Sequence, residues 1–181
     1  MDRLPTPVAA SLTSTMQMLN ITLVVSKPRK TKKGDWRFSN NRHTITVNND
    51  LSPQQFFMTM VHEIAHATTW NKYKGSVKPH GVEWKSEFRN LMLPLLKGYF
   101  PASIEDALRE HMKNPSACSG RSTTLVRAFN PNSTTVEDYP MDKVFKYRGV
   151  EYKKINKRRT RWSCVNLSNG KQYLFPSSMV L

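Results

Sequence analysis

The sequence predicts an α+β fold over residues 1–115, followed by a small all-β module. Three observations predict it. Apolar residues recur at helical spacing in several stretches of the first part. Short β-branched runs stand among them. From Asp142 onward the pattern changes to short β-rich runs separated by turn residues.

The elements follow in order. Val8, Leu12, Met16 and Leu19 give Thr6–Leu19 a helical period. Ile21–Val25 is β-branched and reads as a strand, and Lys27–Gly34 is a basic loop broken by Pro28 and Gly34. Trp36–Phe38 and His43–Val47 read as two strands joined at Asn40-Asn41, completing a small antiparallel sheet. Ser52, Pro53 and Gln55 mark a capped helix start. Phe56, Phe57, Met60, Val61, Ile64 and Ala65 carry that helix to about Tyr73. A second helix runs from about His80 to Leu93, ending at Pro94, and a third runs from near Ser103 to Asn114-Pro115. Residues 116–140 are rich in Ser, Thr, Asn and Pro and read as a connector. Val144–Tyr147, Tyr152–Ile155, Arg161–Leu167 and Gln172–Phe175 then suit a small antiparallel barrel over 141–181.

The chain of 181 residues has a formal charge of +15. The charge is uneven: residues 141–181 hold ten Lys/Arg against two acids, whereas residues 99–140 hold four against five. Such a field attracts polyanions, nucleic acid above all. No apolar run is long enough to span a bilayer, and Met1–Asn20 lacks a signal-peptide pattern, so a cytoplasmic protein with no membrane partner is expected. Cys118 and Cys164 stand apart with no CxxC pair and are expected to be small buried or half-buried side chains.

His62-Glu63-Ile64-Ala65-His66 is an HExxH pattern inside the best-marked helix. Residues four apart share a helix face, so both imidazoles can ligate one ion. Glu63 then stands beside the open position as a general base, the pattern of a catalytic zinc site. Such a site takes a third protein ligand. His80 is preferred, because it follows a short loop in a Pro-His-Gly turn; Glu83 and Glu87 are the alternatives. His43 and His111 have no partner by spacing and read as surface or strand residues.

His62-Glu63-Ile64-Ala65-His66-Ala67, Trp70, and His80-Gly81-Val82-Glu83-Trp84-Lys85 together resemble the SprT-like metallopeptidases, over about Met1–Pro115. The resemblance implies a zincin-like domain and one catalytic zinc on His62, His66 and His80. It also implies Glu63 as the catalytic carboxylate and proteolysis of DNA-associated proteins. Many members carry a cysteine-rich zinc ribbon after the catalytic part. Here single cysteines stand in that region, and residues 141–181 look more like an appended SH3-like barrel.

Two basic clusters are expected to contact DNA without reading sequence: Lys27, Arg29, Lys30, Lys32 and Lys33, and Lys153, Lys154, Lys157, Arg158, Arg159 and Arg161. Tyr152 and Trp162, interleaved with the second cluster, are placed in the small core. The sequence thus supports a DNA-associated zinc protease with protein substrates, whose His43–Val47 strand offers an edge to an extended peptide. The alternative is a nucleic-acid-binding protein with a structural zinc. A zinc hydrolase acting on something other than a peptide is a third reading.

Overall fold

The structure is a computed structural model that describes residues 6–97, 99–118, 120 and 122–181. It divides into two compact units, Met1–Pro115 and Ser116–Leu181. Among the described residues, no helix is long and apolar enough to cross a membrane.

In the first unit, helix α1 (Thr6–Met18) leads into strand β1 (Ile21–Ser26). Leu12 and Met16 of α1 are buried, while the side chain of Val8 lies outside the described residues. β2 (Gly34–Ser39) and β3 (Arg42–Asn48) form a hairpin, and Asn40 and Asn41 take the positive φ that its turn requires. The sheet order is β1-β3-β2, with β1 parallel and β2 antiparallel to β3. The sheet is therefore mixed, not antiparallel. The hairpin sends β3 back in the direction of β1, and β3 pairs with both neighbours. That corrects a second expectation: the His43–Val47 strand is central and offers no edge, and β2 is an outer strand instead.

Helix α2 (Pro53–Tyr73) packs on β2 and β3. Its start is as the sequence indicates: Ser52 Oγ accepts from the Gln55 amide at 3.3 Å, and Pro53 fills the first turn. Ile45 and Val47 of β3 meet an α2 face of Phe57, Met60, Val61, Ile64 and Ala65, all essentially sealed from solvent. Helix α3 (Val82–Met92), a short 3-10 turn (Leu93–Leu95) and helix α4 (Ala102–Lys113) complete the unit. Arg89 ties α3 to α4 by donating to the carbonyls of Met112 and Lys113.

In the second unit, helix α5 (Thr123–Phe129) precedes the antiparallel sheet β4 (Val144–Tyr147), β5 (Val150–Arg158), β6 (Arg161–Asn166) and β7 (Gln172–Pro176). The described residues of 116–140 fall in this unit and carry a helix and a buried segment, contrary to their reading as a connector. Ser122 caps α5, and Val136 is buried in the same core as Phe145, Trp162, Cys164 and Phe175. The chain beyond β7 hydrogen-bonds back onto the 134–137 segment: Val136 N–H to Met179 O at 2.8 Å, Glu137 N–H to Ser177 O at 3.0 Å, and Leu181 N–H to Thr134 O at 3.0 Å. Composition missed this segment because two or three buried side chains suffice to anchor it. Cys164 is buried, but Cys118 is exposed, against expectation.

Candidate metal centre

The site is built on α2. His62 and His66 lie one turn apart on its half-buried face, and the loop after the helix brings His80 to them. That loop is shaped by local chemistry. Lys74 ends α2 in the left-handed region, its amide bonded to Trp70 O. Gly75 follows at φ 84, and a β-carbon there would stand 2.5 Å from the Trp70 ring. The chain can fold over that indole only because residue 75 is glycine. Lys78-Pro79-His80-Gly81 then closes a turn, Gly81 N–H to Lys78 O at 2.9 Å, with His80 at φ 57. Proline second and positive φ third is a type II arrangement. It turns the His80 ring back onto α2.

His66 Nε2 lies 2.9 Å from His80 Nε2, which lies 3.2 Å from His62 Nε2, and the three donor atoms fall within 4.8 Å of one another. Four-coordinate zinc with bonds of about 2.0–2.1 Å separates its ligand nitrogens by roughly 3.3 Å. The spacing therefore fits one shared ion. Hydrogen bonding alone fits less well, since each link needs one protonated and one bare nitrogen and a single Nε2 stands at the centre of both. Burial keeps the rings neutral, as ligation requires. It lowers His62 well below the ordinary range, with His66, His80 and His111 adding to the effect, and lowers His66 to about 3. His80 is lowered by burial alone.

Trp84, fully buried on α3, underlies all three rings, 4.6 Å from His62 and His80 and 5.3 Å from His66 between centroids. On the other side Trp36 of β2 stacks near His66 at 5.9 Å and 18°, and its indole N–H donates to His43 Nδ1 at 3.0 Å. Sequence reading quoted Trp84 only as part of the motif and did not assign Trp36 to the site, because nothing in the spacing places β2 over α2.

Glu63 is buried, and its carboxyl is raised to about 8, by burial first and by Asp35 next, with Arg29 and Lys32 pulling the other way. Its carboxylate lies against bare backbone. A β-carbon on Gly34 would come within 2.6 Å of Glu63 Oε1 and 2.7 Å of Thr59 Cγ2. Gly34 is thus part of the site, and the sequence signalled it only as a loop breaker. Glu83 and Glu87 are not in the metal-competent group, and Glu87 pairs with Lys72 at 2.7 Å. His43 is a buried strand residue. His111 is buried on α4, with Nε2 unpartnered, and is no surface residue.

The basic clusters divide. Lys154 is sealed in the second unit, its ammonium donating to Val136 O at 2.7 Å, Glu137 O at 3.1 Å and Tyr139 O at 2.5 Å and lying 3.6 Å from the Trp162 ring centroid. It cannot meet DNA, because every donor is consumed inside. Arg29 is half-buried and folds back onto β3, donating to Asn48 Oδ1 and Thr46 Oγ1 at 2.8 Å each. Lys32, Lys153 and Lys157 pair with Asp35, Asp142 and Glu137. Lys27, Lys30, Lys33, Arg158, Arg159 and Arg161 are exposed and form no ion pair among the described residues.

No curated protein and no solved structure matches the chain. The family model of the SprT-like family matches residues 9–105, a span that contains α2, the His80 turn and β2. With more than half of its length matched, and with three imidazoles converging where a metal could be held, the chain belongs to the SprT-like family.

Proposed function

We propose that this chain is a zinc-dependent metalloendopeptidase of zincin type, acting on proteins bound or crosslinked to DNA. The observation that carries the reading is three neutral imidazole nitrogens meeting beside a buried carboxylate, beneath an outer strand. Family membership supports it. His62, His66 and His80 would hold one zinc ion. Zinc, when bound, supplies a Lewis acid that polarises a carbonyl and brings the pKa of water toward about 7.

Glu63 takes a proton from the attacking water and returns it to the leaving amine. Its raised pKa suits the second task. For the first, Arg29 and Lys32 already draw the pKa down, and added positive charge at the histidines acts in the same direction. The outer strand β2 binds the substrate backbone by strand addition. Its first residue, Gly34, abuts Glu63, so a peptide on this edge passes the base. The surplus of cations on the chain favours sequence-independent DNA contact that weakens steeply with salt. The working place would be the cytoplasm, where DNA is exposed.

The deciding experiment compares zinc-loaded wild type with Glu63→Gln for cleavage of a protein substrate, with and without DNA. Wild type should cleave, DNA should stimulate, and a chelator should stop it. Glu63→Gln should keep its zinc and lose cleavage; full activity in that variant would exclude the mechanism. Zinc and DNA binding by wild type without any cleavage would favour a nucleic-acid-binding protein with a structural metal.

A further inference from the structure

We infer that the tip of the β5–β6 hairpin is a docking element for duplex nucleic acid, made by Arg158, Arg159 and Arg161. The inference rests on the reading that this chain works on DNA, and it names the element that makes the contact.

Two local choices at this tip oppose folding, and a third feature leaves its charges free. Arg158 and Arg161 are direct cross-strand partners, and like charges in that position repel. Arg159 sits at φ 53, in the left-handed region where glycine or asparagine is favoured at a hairpin turn. All three guanidiniums are exposed, and among the described residues none meets a carboxylate or other acceptor. The nearby acids are engaged elsewhere: Glu137 accepts from Lys157 and from the Trp162 indole, and Asp142 pairs with Lys153. When local rules fail together at one exposed point, an external partner is the economical explanation.

The chemistry of the tip selects the partner. Guanidinium groups match phosphate oxygens in a planar, forked geometry. The tip is held in place beforehand, since Ser177 N–H donates to Thr160 O at 3.2 Å in the turn itself. Among the described residues, the exposed Tyr173 stands further along the sheet, opposite Cys164, and the ring next to the tip is not free. Trp162 is buried, with Lys154 over its ring and its N–H bonded to Glu137. Unpaired bases would therefore find no ring to stack on at the tip itself, as single-strand binders provide. A duplex, whose bases are already stacked, offers phosphates alone, and a two-stranded ribbon enters its groove.

The test uses the full chain and measures affinity for a duplex and for a single strand of the same sequence across a salt series. The variants are Arg158→Gln/Arg159→Gly/Arg161→Gln and Arg159→Gly alone. The triple variant should lose at least tenfold in duplex affinity, and its plot of log K against log salt should flatten by about 2.7 for three lost phosphate contacts. Arg159→Gly should flatten it by about 0.9 while raising Tm by roughly 3 °C, because glycine accepts the turn's φ. That pairing of weaker binding with higher stability is not expected of a merely structural residue. If wild type binds duplex and the triple variant binds it with equal affinity and slope, the inference falls and DNA association stands. If wild type binds only single strands, the inference also falls. If it binds neither, the DNA-associated reading falls with it.

Discussion

His80 sits at φ 57, a region that costs a residue with a β-carbon about 1 kcal/mol. The chain tolerates that cost at the one position where a ring must be turned back onto α2. His80→Asn should therefore remove metal binding, read by zinc content after dialysis, without lowering the Tm of the metal-free protein. Gly34 makes the converse prediction. Its φ lies outside the left-handed region, so alanine is free of backbone strain, but its methyl would meet the Glu63 carboxylate at 2.6 Å. Gly34→Ala should leave zinc content unchanged and cut cleavage on the order of 100-fold, the size of effect a misplacement near 1 Å produces. Unchanged turnover in that variant would show that the carboxylate is not held by this contact. The meeting of His62, His66 and His80 was legible in the sequence because helical period and a short loop fix their neighbours. Gly34 was not, since its role depends on a strand lying over a helix 29 positions away.

Among the elements, helix α2 was legible almost to the residue, because Ser52, Pro53 and the apolar period act within one segment. The order β1-β3-β2 was not, because strand pairing joins segments 20 or more residues apart and the period of two is the same for either neighbour. The β5 strand shows the same limit. Its lysines look alike in sequence, yet Lys153 faces solvent and Lys154 faces inward by the alternation of a strand. Carbonyls from residues 136–139 then surround the inward ammonium. Lys154→Met keeps the stem and deletes the donor, leaving those carbonyls short of partners. It should destabilise the second unit by about 3 kcal/mol, visible as lost amide-exchange protection across residues 144–176. Protection equal to wild type would mean the carbonyls find other donors.

The two units should also part company in acid. His111 is buried and neutral in the first unit, with burial lowering it to about 4. The unfolded chain takes up that proton near 6.5, so the contribution is complete above 6.5 and is lost as pH falls toward 4. At pH 5 the loss amounts to about 2 kcal/mol for this one group. Glu137 and Asp138 of the second unit are instead held near 2, Glu137 first by its hydrogen bond with Lys157 and Asp138 first by that with Thr135. Their contribution persists until pH falls below about 4.5 and 3.8, respectively, and is lost on the way to 2. Metal-free protein at pH 5 should therefore weaken in the first unit while the second holds. His111→Leu should flatten the urea-measured stability between pH 7 and 5 relative to wild type; an unaltered slope would remove His111 as its cause.

The bonds that join residues 134–137 to residues 177–181 make the end of the described chain a hem, stitched along the opening of the aromatic interior. Cutting the chain after Pro176 would unpick every one of those stitches and bare Phe145 and Trp162 to water. Such a shortened protein should still bind metal through its first unit, yet melt without a second cooperative step. Five residues would then decide whether the arginine tip has a frame to stand on.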